Sequence, residues 1–97
     1  GGEKNFPYSL AKFALEFFPS NNKKWIKNNV LINTVRVGVT KTKLHNNLKT
    51  KNLLKRVKLI PIQRMASPEE IAKVIFFLGS NENTFISNEV ISISGGE

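Results

Sequence analysis

The chain has 97 residues, 40% apolar and 23% charged, with a net charge of +8 and no cysteine. That length suits one small domain, and the composition is that of a globular chain, not a disordered one. The lack of cysteine excludes a disulfide framework and thiolate chemistry, and no apolar run approaches the ~18 residues of a membrane-spanning helix.

Residues 1–7, with Gly1, Gly2 and Pro7, read as a loop. They are polar and Gly-rich, unlike a signal peptide, so the expected location is the cytoplasm. From Tyr8, residues Leu10, Phe13, Ala14, Phe17 and Phe18 follow helical spacing. Pro19-Ser20-Asn21-Asn22 interrupts the pattern and Trp25 and Ile26 resume it, so 8–29 is one kinked helix or two short ones. "VLINTVRV" (30–37) is β-branched and nearly all apolar, which predicts a strand buried on both faces, and Gly38 ends it.

Residues 39–66 form a basic, loosely helical stretch anchored by Leu44, Leu48, Leu53, Leu54, Val57 and Ile60. In "SPEEIAKVIFFLGS" (67–80), Ser67 is an N-cap, Pro68 the first helical residue and Glu70 the partner in a capping box. Ile71, Val74, Ile75 and Leu78 give that helix its apolar face, and Gly79 is its expected stop. "EVISISGG" (89–96) is a short last strand, expected to lie parallel to 30–37. The order helix, strand, helices, strand is that of an α/β fold.

The positive charge raises the question of nucleic acid. Yet 12 of the 15 basic residues are Lys and only 3 are Arg, the side chain whose fork reads base edges and phosphates. Asn is also abundant, with 12 copies, and an excess of Lys, Asn and Ile is what an AT-rich coding sequence gives. Nucleic-acid binding therefore ranks as the third reading.

Tyr8 and Lys12 are four apart and share one helix face. A phenol ionises near pH ~10, and an ammonium beside it favours the phenolate. Such a phenol can exchange a proton with a substrate oxygen while hydride moves at the adjacent carbon. A Tyr and Lys at this spacing are also a common surface pair, and the spacing alone does not choose.

The rest of the chain adds to it. "YSLAK" (8–12) resembles the Tyr-x-x-x-Lys signature of the short-chain dehydrogenase/reductase family. "NTVRVGVTKT" (33–42) resembles that family's Asn-x-x-x-Pro-Gly-x-x-x-Thr segment, and residues 64–96 resemble its C-terminal segment, with a Pro-Glu-Glu-Ile-Ala helix and a strand closing in Gly-Gly.

The resemblance covers nearly the whole chain. It implies the C-terminal portion of a Rossmann-like, doubly wound parallel sheet: catalytic helix region 8–29, strand and turn 30–38, lid 39–66, helix 67–79 and last strand 89–96. The function implied is part of an NAD(P)-dependent oxidoreductase acting on a small carbonyl or secondary alcohol, with NAD or NADP as cofactor.

By the same resemblance, Tyr8 is the catalytic acid/base, and Lys12 holds the nicotinamide ribose and favours the Tyr8 phenolate. Val37, where the family usually has Pro, and Gly38 form the cofactor turn, with Gly38 admitting the nicotinamide. Thr40 offers backbone groups to the carboxamide and Thr42 its hydroxyl to the phosphates. Leu44, Leu48 and Leu54 line the substrate pocket from the lid.

The glycines stand at 1, 2, 38, 79, 95 and 96, none in a G-x-G-x-x-G spacing. No match to the family's upstream Ser and Asn occurs. The expectation is a fragment, inactive by itself, whose partners are the N-terminal half of the fold and a second copy packed through the catalytic helix.

Simpler roles fall to other residues. His45 is the only histidine and makes no metal site with others; Arg36 suits a surface ion pair; Arg64 precedes the capped helix and can pair with Glu69 or Glu70. The alternative to the enzyme is an inactive oligomerisation or interaction module that keeps the fold's surfaces.

Overall fold

A computed structural model describes residues 5–17, 23–42 and 50–97. They fall into two compact units: 1–34 with 84–91, and 35–83 with 92–97.

The first unit opens with helix α1, Phe6–Ala14. Pro7 in the first turn lacks the N–H that a helix start leaves unpaired anyway, so the helix begins two residues before Tyr8 and Pro7 belongs to it, not to a loop. The N–H of Ser9 donates to the Asn5 carbonyl at 3.0 Å. The helix tightens into a 3-10 turn at Leu15–Phe17, where Phe17 meets Phe13 edge to face with centroids 5.4 Å apart. The expected break at Pro19 lies outside the described residues.

Helix α2, Lys23–Lys27, ends in a Schellman motif. Asn29 takes the left-handed conformation at φ 63°, its N–H donates to Ile26 O, and Val30 N–H donates back to Trp25 O.

Strand β1 runs only over Thr34–Val37, not 30–37. The residues before it bond to the loop that leads into the last strand. Ile32 N–H donates to Ser87 Oγ at 3.0 Å and Ile32 O accepts from Asn88 N–H at 2.7 Å. Asn33 bridges the same loop, its Nδ2 donating to Ile86 O at 2.9 Å and its Oδ1 accepting from Glu89 N–H at 3.1 Å.

Strand β2 is Val90–Ile93, and the two strands pair in parallel. Thr34 N–H reaches Glu89 O and Gly38 N–H reaches Ile93 O, each at 2.9 Å, so both strands advance together. Arg36 and Val37 are exposed, so β1 is not covered on both faces as its apolar sequence predicts.

In the second unit, Gly38 continues the ladder, and Thr40 forms a parallel bridge with Ala66. Helix α3, Thr50–Lys58, occupies only part of the stretch 39–66. Gln63, left-handed at φ 65°, caps its end: Nε2 donates to Lys58 O at 3.1 Å and to Ile60 O at 3.0 Å.

Helix α4, Pro68–Gly79, starts as its sequence predicts. Ser67 Oγ accepts from Glu70 N–H at 3.3 Å, and Glu70 Oε1 accepts from Ser67 N–H at 2.7 Å. Its end does not rest on Gly79, which is the last helical residue and shows no left-handed φ. Ser80 Oγ donates to Phe77 O at 2.9 Å and the buried Asn83 donates through Nδ2 to Leu78 O at 3.1 Å, satisfying carbonyls the helix leaves open. Ile60, 2% exposed, and Ile71, 6% exposed, are the buried apolar core among the described residues.

Candidate functional site

Tyr8 and Lys12 stand one turn apart on α1. The Lys12 ammonium lies over the Tyr8 ring, 5.6 Å from its centroid, within cation–π range. Tyr8 is 58% exposed, and Lys12 is exposed as well. The pair therefore offers one phenolic proton and one cation from a single solvent-facing surface. At ~100° per residue, Tyr8 and Lys12 point away from Phe6, Leu10 and Phe13, which form a separate exposed apolar stripe on α1, with Phe17 beyond its end.

The turn after β1 is built by close packing within the second unit. Val37 is exposed at its start. A Cβ on Gly38 would sit 2.8 Å from Ser94 Cα and 3.2 Å from Ile93 O, so the backbone at and just after the end of β2 leaves no room for a side chain here. Thr40 Oγ1 donates to Gly38 O at 3.0 Å, which fixes the turn and leaves the hydroxyl lone pairs to accept. The bridge to Ala66 uses Val39 O and Lys41 N–H, each at 2.9 Å, and not Thr40's own amide groups. Thr42 is exposed. Leu44, Leu48 and His45 lie outside the described residues, and Leu54 on α3 is 58% exposed.

A cavity of about 170 Å³ opens beside Gly38, walled by Val39, Ile60, Ile62, Ile93 and Gly95. Its apolar character was readable in the alternating isoleucines of "LIPI", but their convergence with the end of β2 was not. Arg64 and Glu70 also border it. Arg64 Nη1 donates to Glu70 Oε1 at 2.7 Å and Nη2 to Oε2 at 3.2 Å. The Arg64 hydrogen bonds, and then the Ser67 N–H, hold the Glu70 carboxyl below its usual value, while Glu70 raises that of Arg64. Each satisfies the other, so this pair is structural, and of the two acids beside Arg64 it is Glu70 that binds.

The family model described as "Enoyl-(Acyl carrier protein) reductase" matches residues 1–97. The chain is 36% identical over 90 residues to the 3-oxoacyl-[acyl-carrier-protein] reductase FabG of Buchnera aphidicola (subspecies Baizongia pistaciae), covering 92% of this chain and 37% of that protein. It is 38% identical over 90 residues to FabG of Aquifex aeolicus, covering 92% and 36%. It is also 29% identical over 96 residues to an acetoacetyl-CoA reductase of Acinetobacter, covering 98% and 38%. Among solved structures, YwfH, an NADPH-dependent reductase involved in bacilysin biosynthesis, superposes with a TM-score of 0.83 at 27% identity, over 94% of this chain and 39% of that one.

Proposed function

The chain belongs to the short-chain dehydrogenase/reductase family and has its Rossmann-type α/β fold, and from this we propose that its residues serve the NAD(P)-dependent reduction of a 3-oxoacyl thioester carbonyl. The carbonyl class is taken from the names of the relatives. The observation that carries the reading is the Tyr8–Lys12 pair, in which the chain's one tyrosine lies under an ammonium on an exposed helix face.

The donor set suits the nicotinamide side of such a cofactor. The Lys12 ammonium has three donors for vicinal ribose hydroxyls, and Thr40 has a hydroxyl acceptor and amide groups for a carboxamide. When bound, the cofactor supplies hydride to the carbonyl carbon. Tyr8 supplies the matching proton from its phenol to the carbonyl oxygen, and Lys12 stabilises the phenolate left behind until solvent reprotonates it. The chain contains no glycine-rich turn for a pyrophosphate, so these 97 residues alone bind the dinucleotide weakly and do not turn over.

The apolar stripe of α1 supports a second copy of the chain as partner. It points away from Tyr8 and Lys12, so a copy packed there leaves the pair open. An inactive module that only associates would keep this stripe and dispense with the phenol. Turnover of acetoacetyl-CoA with NADPH by an enzyme carrying these residues, compared with its Tyr8→Phe variant, decides between the two. Equal rates would rule out the catalytic role.

A further inference from the structure

The last residues of the chain contact α3 at one point and the segment that follows it at another. Ile62 N–H, just beyond the helix, donates to Gly95 O at 3.1 Å. Arg56, in the last turn of α3, gives its guanidinium to the Glu97 carboxylate side by side: Nη1 to Oε2, and Nη2 to Oε1 at 2.7 Å.

The turn that presents Glu97 has little freedom. Gly95 and Gly96 have φ of 65° and 95°, and Ser94 and Glu97 close the turn, with Glu97 N–H donating to Ser94 O at 3.3 Å and Ser94 Oγ to Glu97 O at 3.2 Å. A Cβ on Gly95 would meet Ile62 Cγ2 at 2.5 Å and the buried Ile60 Cγ2 at 3.0 Å; one on Gly96 would meet the Pro61 ring at 3.1 Å. The turn therefore packs directly on 60–62 and aims one carboxylate at one guanidinium. A planar fork meeting a fixed carboxylate is the strong form of an ion pair. Arg56 shares the last turn of α3 with Lys55 and Lys58, and the first turn has no acid, so Glu97 offsets a local excess of positive charge. The pair remains partly exposed, so salt weakens it.

We propose that Glu97 is a positioning residue: through Arg56 it docks α3 onto the 94–97 turn, and release of that ion pair frees α3 while α4 stays folded.

Amide exchange on the full chain, read separately over α3 and α4, tests this. Glu97→Gln should speed exchange across α3 by about two- to fivefold at low salt, the size of a surface ion pair, and leave α4 unchanged. Added salt should bring the wild type to the same rate, and the charge-swapped pair Arg56→Glu with Glu97→Arg should restore slow exchange. Unchanged α3 exchange in Glu97→Gln, equal acceleration of α3 and α4, no response of the wild type to salt, or no restoration by the swap would each overturn the proposal. The salt series needs no variant to fold, and no outcome depends on turnover, so a failure here leaves the oxidoreductase reading standing.

Discussion

The ammonium of Lys12 sits over the face of the Tyr8 ring, 5.6 Å from its centroid, on the exposed side of α1. Tyr8→Phe keeps the ring, and with it this contact, and removes only the phenolic oxygen. In an active enzyme that includes Tyr8, turnover should fall ~10²–10⁴-fold, the usual size of general acid–base catalysis, with cofactor binding nearly intact. Lys12→Ala should harm both. Steady-state rates and cofactor titration on the two variants read this out, and a Tyr8→Phe enzyme keeping most of its rate would contradict the assignment.

Two glycines should respond in opposite ways to alanine. At Gly38 the new Cβ meets Ser94 Cα at 2.8 Å, a backbone atom just after β2 that cannot swing aside as a side chain can. Overpacking of this kind costs about 1–3 kcal/mol. At Gly79 nothing lies within 4 Å of the new Cβ, and a helical alanine is worth about 0.5–1 kcal/mol over glycine. Denaturant midpoints should fall for Gly38→Ala and rise for Gly79→Ala; a rise in both would show that β2 yields at Ser94.

Acid should weaken the α4 start in a defined direction. Arg64 and the Ser67 N–H lower the folded-state value of Glu70 below that of the unfolded chain. The resulting stability is complete above the ordinary carboxylate value and is lost as pH falls through the lowered one. Glu70→Gln removes this contribution, so unfolding curves of variant and wild type should differ at neutral pH and converge in acid. A constant difference across the range would assign the effect to something other than the Glu70 charge.

Ser67→Ala removes the acceptor for Glu70 N–H. Loss of such a cap costs about 0.5–2 kcal/mol, and thermal unfolding should show it, with Ser67→Asp recovering most of the loss.

Self-association should run through α1. Phe6, Leu10, Phe13 and Phe17 are each more than half exposed, and burying a Phe is worth roughly 1.5–3 kcal/mol. Sedimentation of Phe13→Asp should shift toward monomer relative to the wild type at equal concentration. An unshifted distribution would move the interface elsewhere.

What the sequence made legible is what local rules decide. The Ser67–Glu70 box, the pairing of Arg64 with one of two neighbouring acids and the parallel pairing of the two strands follow from residue types at short spacing or from α/β order. What it left dark depends on partners distant in sequence. Strand β1 starts late because Ile32 and Asn33 are engaged by Ser87, Ile86 and Glu89. Helix α4 does stop at Gly79, but Ser80 and Asn83, not a left-handed glycine, supply the cap. The close approach of Ser94 to Gly38 is likewise made by a residue distant in sequence. Asn33 was legible as the head of a motif but not as the clip that joins β1 to the loop before β2.

The ladder between β1 and β2 also governs when the chain can fold. Thr34 bonds to Glu89 and Gly38 to Ile93, so neither strand has its partner nearby in sequence, and pairings this far apart close slowly. At the ribosome, where synthesis adds roughly 5–20 residues per second, β1 emerges several seconds before the strand it needs. Until Ile93 arrives, the edge of β1 that faces β2 in the fold lacks the partner that closes it.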